Sequence, residues 1–193
     1  MKKQFLLALL ILASHFSFAQ LTVTVQWYDA DPGSRGDTIY YDPGNKLVWS
    51  DFKGRPDYNS MAAAITESGF GYRMAMQSRN GQTNLRITIY CYFNKRTSWV
   101  KKNMDTDYAL THEQHHFDIT YINTSLFAQK LKAAKFTLGN YTSLVDNIYD
   151  ECYEALRTMQ DAYDGQTANG RIKKIQSEWN QKIDQKLAGL IIN

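Results

Sequence analysis

Three prolines, two cysteines and four histidines are all that 193 residues contain of those types. Two cysteines are too few for the disulfide framework of a small secreted scaffold, and scarce proline excludes a collagen-like or proline-rich linker protein. Eleven glycines and 44% hydrophobic residues exclude a low-complexity or disordered chain. No apolar run approaches the roughly 20 residues that a membrane-spanning helix needs. Strong charge of either sign is missing too. The net charge is +3, and without Lys2 and Lys3 the balance is 20 basic against 19 acidic residues, or +1. Bulk charge therefore gives no support to a nucleic-acid or anionic-membrane partner.

What is present begins with an address. Lys2 and Lys3 precede the apolar stretch FLLALLILA (Phe5 to Ala13), and Ser17-Phe18-Ala19 supplies a small-x-small cleavage signal. Residues 1–19 are thus predicted to be a signal peptide and residues 20–193 a single domain, exported to the periplasm or secreted. Export would permit a Cys91–Cys152 disulfide, worth roughly 4 kcal/mol for a loop of that length. Cys91 also lies on an apolar strand face, where a buried thiol fits equally well.

The N-terminal half reads as strands. Leu21 to Tyr28 alternates apolar and polar residues, Thr38 to Tyr41 and Leu47 to Trp49 are predicted short strands, and Ala62 to Gln77 is predicted to hold a strand broken by Gly69 and Gly71. Leu85, Ile87, Ile89, Cys91 and Phe93 alternate most clearly, which predicts a strand with a fully apolar inward face. The C-terminal half reads as helices: one capped by Asp105 or Thr106 and running to about Lys135, one over about 141–163, one over 171–190. Strands followed by segregated helices predict an α+β fold, an antiparallel or mixed sheet ahead of three helices.

The first of those helices carries His112-Glu113-Gln114-His115-His116. In H-E-x-x-H the four-residue spacing places His112 and His116 on one helix face, one turn apart, where two imidazoles can share a zinc ion. Glu113 stands a step around the helix, able to take a proton from a zinc-activated water. All three histidines after residue 19 fall in these five positions. His115 is turned about 100° from His116, which predicts a surface or cleft residue. In a looser i, i+3 arrangement it could replace one of the pair. Asp118 is a candidate to hold a ligand histidine by its second nitrogen.

No histidine remains downstream, so the third ligand is a carboxylate from Asp146, Asp150, Glu151, Glu154, Asp161 or Asp164. An antiparallel return after a turn near 138 reaches the level of His116 around residue 160. At ~1.5 Å per residue Glu151 falls about 13 Å short and Glu154 about 9 Å short, while Asp161 and Asp164 are about level. Asp164, next to Tyr163, is the preferred third ligand; Asp161 and, with a tilted packing, Glu154 stay open.

Leu110-Thr111-His112-Glu113-Gln114-His115-His116-Phe117-Asp118-Ile119 resembles the L-x-H-E-Q-x-H-F-D-I centre of a bacterial family of exported zinc-dependent peptidases, domain of unknown function 922. Trp49 to Gly54, Ala64 to Thr66, Tyr163 to Thr167 and Gln176 to Trp179 resemble its W-x-D-F-x-G, A-x-T, Y-D-x-x-T and Q-x-x-W segments, in order along most of the chain. Two positions depart from the pattern: Asn169 stands where many relatives have histidine before glycine, and His115 where glycine is frequent. The resemblance implies a zincin-like domain that hydrolyses peptide bonds.

The expectation is therefore an exported zinc metallopeptidase with His112, His116 and Asp164 as metal ligands, Glu113 as general base, and a peptide or protein substrate. The strand containing Tyr90 and Tyr92 is expected to run beside the cleft and align that substrate. Gln176 and Trp179 are expected to pack the third helix. The alternatives are a non-catalytic zinc protein, with a fourth protein ligand, and a cell-envelope binding module with an exposed aromatic patch.

Overall fold

The computed structural model describes residues 20–28 and 36–191; the predicted signal peptide lies outside them. Its central strand is β5 (Gln82–Asn94), whose alternating pattern sends Leu85, Ile87, Ile89, Cys91 and Phe93 to a buried face. β4 (Ser68–Arg79) pairs antiparallel along the whole of one edge, from Ser68 opposite Phe93 to Arg79 opposite Gln82. Asn80 and Gly81, both at positive φ, form the two-residue hairpin turn between them. The other edge of β5 is shared end to end. β1 (Gln20–Trp27) runs parallel along its first part, and β2 (Thr38–Tyr40) antiparallel along its last. The sheet is mixed, and both edges of its central strand are taken. β3 (Ala64–Ile65) pairs antiparallel with β6 (Trp99–Val100) as a separate ribbon.

Three helices follow: α1 (Asp107–Ala133), α2 (Tyr141–Thr167) and α3 (Lys173–Ile191). Thr106 caps α1 by accepting the Ala109 N–H. α1 is the middle layer, packed on β1, β4 and β5 on one side and on α2 and α3 on the other. Ile119, Phe127 and Leu131 fill the space against β5, and Val145, Ile148 and Leu156 of α2 close the same core. Being covered on both sides, α1 must also bury polar residues, among them His112, Glu113 and Asp118. None of the described helices is long and apolar enough to cross a membrane.

Three sequence expectations change, and one open alternative is decided. Leu47 to Trp49 is not a strand: the Leu47 N–H donates to Gln114 Oε1, the Val48 N–H to the Asp51 carboxylate, and Trp49–Asp51 closes a 3₁₀ turn. Gly69 and Gly71 do not break β4. The Tyr92 and Tyr90 rings lie over them, and a Cβ there would meet the phenol oxygens at 2.8 and 2.7 Å. Tyr90 and Tyr92 do not border the cleft with a free edge, because β5 is paired on both sides. Cys91 and Cys152 are both free and buried, so no disulfide joins them.

Candidate metal centre

One turn of α1 faces the end of α2 and brings three acceptor atoms together. His112 Nε2 and His116 Nε2 are 3.2 Å apart, and Asp164 Oδ1 lies 3.2 Å from the first and 3.0 Å from the second. Tetrahedral zinc bonded at about 2.1 Å would set its ligand atoms about 3.4 Å apart, so the triangle is close to the size such an ion needs. His112, His116 and Asp164 form the grouping among the described residues suited to a metal ion.

The hydrogen bonds behind the rings decide what the three atoms are. Gln160 Nε2 donates to the His116 carbonyl at 2.8 Å, so its Oε1 faces His116 Nδ1, which must carry the proton. On α3, Gln176 Nε2 donates to the Tyr163 hydroxyl and to Asn180 Oδ1. Its Oε1 therefore takes His112 Nδ1–H at 2.8 Å. In their neutral forms both imidazoles thus present a bare Nε2 lone pair to each other and to a carboxylate. Three acceptors converge with no donor among them, an arrangement that requires a cation at the centre. In the metal-free protein that cation is a proton. Burial works to lower the His116 pKa, but the Asp164 hydrogen bond and the charges of Glu113 and Asp164 raise it from 6.5 to about 9. Burial likewise works to raise Asp164, and its close contacts with the His112 and His116 rings overcome it, holding the carboxyl well below its usual range.

Tyr163 stacks on the His112 ring at 4.6 Å and donates to the His112 carbonyl. Behind the same ring the chain leaves α2 through three consecutive positive-φ residues, Ala168, Asn169 and Gly170. Gly170 has φ +79°, and a Cβ on it would sit 3.3 Å from His112 Nδ1, so glycine is what lets the loop close on the ring. The Tyr108 hydroxyl fastens the loop by donating to the Gly170 carbonyl at 2.6 Å.

The cluster opens into a cavity of about 480 Å³. One wall is the segment 62–68, tied to α1 where Thr66 Oγ1 donates to the Glu113 carbonyl; α2 and Asn169 to Lys173 form the other. Glu113 lines the cavity at 5% exposure, and its buried Oε2 has no hydrogen-bond partner.

The remaining sequence candidates go elsewhere. His115 is buried rather than at a surface, and its Nε2 lies 3.4 Å from Asp184 of α3, turned away from the cluster. Asp118 does not hold a ligand histidine; it accepts from Tyr41, Gln114 and Lys46. Asp146 accepts from Tyr72, Glu151 pairs with Lys130 and Glu154 with Arg157, while Asp150 is exposed. Asp161 lines the cavity outside the triangle. Sequence reasoning missed Gln160 and treated Gln176 as packing. The signal for Gln160 was its place one turn before Asp164, on the same face of α2. No protein-family model, curated protein or solved structure matches this chain.

Proposed function

We propose that this is an exported zinc-dependent metallopeptidase of zincin-like architecture. The observation that carries the reading is the acceptor triangle beside an unpartnered buried carboxylate oxygen, in a cavity large enough for part of a peptide. Two histidine nitrogens and one carboxylate oxygen are the donor set of many catalytic zinc sites, and His112, His116 and Asp164 would hold the ion. When bound, zinc supplies Lewis acidity, which brings the pKa of water near 7 and polarises a carbonyl. Glu113 Oε2 accepts the water's proton and returns it to the leaving amine. Gln160 and Gln176 keep the Nδ1 protons in place, so that both Nε2 atoms stay free.

β3 supports an extended peptide as substrate. The Lys101 N–H donates to the Ala63 carbonyl, which turns the N–H and C=O of Ala64 away from β6, where they can pair with a bound strand. The half-exposed Asp164 and the open cavity argue against a closed, purely structural zinc site. Support for export and for the likeness to domain of unknown function 922 comes from the sequence motifs alone.

Metal analysis together with a peptide-library assay tests the reading. One zinc per chain and cleavage by wild type, no zinc in His116→Ala, and zinc without cleavage in Glu113→Gln are the expected results. Absence of zinc from wild type after incubation with excess metal would overturn it. So would equal turnover by wild type and Glu113→Gln.

A further inference from the structure

The strands β1, β2, β4 and β5 contain no aspartate or glutamate, and their only charged side chains are Arg73, Arg79 and Arg86. The register sends all three to one face. Arg86, Tyr90 and Tyr92 alternate with the buried residues of β5 and so point away from the core. Arg73 pairs opposite Thr88 and Arg79 opposite Gln82, on that same outward side. Tyr40, opposite Tyr92, and Tyr28, 4.7 Å from Tyr40 between ring centroids, extend the aromatic surface across β2 and the end of β1. The helices pack against the opposite, inward face of the sheet.

This surface is built rather than incidental. Glycines at 69 and 71 leave room for the Tyr92 and Tyr90 rings to lie on β4, where any Cβ would collide with them. The Arg73 guanidinium is held between two rings, 5.8 Å from the centroid of Tyr28 and 5.7 Å from that of Tyr90. Among the described residues no carboxylate pairs with Arg73, Arg79 or Arg86. Fixed positive charge without counter-charge, on an aromatic floor flanked by threonines and amides, complements a hydroxyl-rich polyanion.

We propose that the outward face of the sheet binds an anionic polysaccharide. The tyrosine rings pack on the C–H faces of the sugars, and the arginines pair with their carboxylates. Single-stranded nucleic acid would need ring faces offered as successive stacking platforms. Here Tyr28 and Tyr40 are tilted by 53°, and Tyr40 and Tyr90 stand at 90°, so no such row exists. The face shares no residue with the histidine cluster and does not depend on metal.

Native electrophoresis of the full chain through gels containing polygalacturonate or neutral dextran tests the proposal, with an oligothymidylate titration beside it. Polygalacturonate should retard the protein and dextran should not. Arg73→Gln/Arg86→Gln should weaken retardation about tenfold or more. Both side chains are exposed and unpaired with acids, so the double variant should fold, and circular dichroism checks that it does. Lys182→Gln/Lys186→Gln removes the same charge from α3 and should leave retardation unchanged. No retardation by polygalacturonate, equal loss in the two double variants, or tighter binding of the oligothymidylate would each overturn the proposal.

Discussion

Glu113 and Asp118 lie five residues apart on α1, at 5% and 1% exposure, and their surroundings are opposite. Asp118 faces the loop before the 3₁₀ turn and accepts the Tyr41 hydroxyl at 2.8 Å, Gln114 Nε2 at 2.8 Å and Lys46 Nζ at 3.5 Å. Burial and the Asp118 charge together push the Tyr41 phenol far above its usual pKa, so it stays a donor. Glu113 faces the cavity with an oxygen that nothing satisfies. His115 and His116 repeat the contrast, one turned toward α3 and the other toward two further acceptors. Burial of a polar residue is therefore no mark of function in this helix. The mark is acceptors gathered without donors, on the side where α1 meets a cavity instead of a neighbour.

Substitutions that exchange these roles should break the comparison in a graded way. The largest effect is on catalysis: Glu113→Gln should lower kcat/KM for peptide cleavage by roughly a hundredfold to ten-thousandfold, the usual worth of a general base, with zinc content unchanged. Asp118→Ala should instead act on stability, costing about 2–4 kcal/mol in urea unfolding because the buried Tyr41 and Gln114 lose their partner. Above about pH 9, where His116 is neutral and the Glu113 charge has no cation to face, Glu113→Gln should leave the stability of metal-free protein equal or higher, since no hydrogen bond is lost. A fall comparable to that of Asp118→Ala would show that the two acids are not distinct.

Gln160→Ala and Gln176→Ala sharpen the metal side. Each should weaken zinc binding about 10- to 100-fold in competition with a chelator, by freeing the imidazole tautomer. The effect of pH follows from His116 and Asp164. With its pKa raised from 6.5 to about 9, His116 contributes stability to metal-free protein that is complete below pH 6.5 and lost as pH rises through about 9. Asp164, held below its ordinary 3.8, contributes stability above that pH and loses it only in stronger acid. Metal-free protein should thus be most stable in urea between about pH 4 and 6.5. Zinc must displace the His116 proton, so affinity should fall about tenfold for each pH unit from 9 down to 6.5. The smallest effects belong to acids outside the triangle: Asp161→Asn and Glu154→Gln should change zinc affinity by less than about twofold.

The alternation of Leu85 to Phe93 and the 3.6-residue rhythm after Thr106 are local properties of the chain, so the α+β class, the existence of that strand and three helices were legible from sequence. The pairing of His112 with His116 was legible for the same reason, being set by helix geometry alone. The level of Asp164 on a returning helix followed from rise per residue, but its selection over Asp161 depended on which face of α2 meets α1. Tertiary packing alone decided the rest. Gln176 reaches His112 from another helix, the segment 62–68 walls the cavity because β3 pairs with a distant ribbon strand, and β5 is central because three strands compete for its edges. Such contacts join residues far apart in the chain, and no local periodicity encodes them.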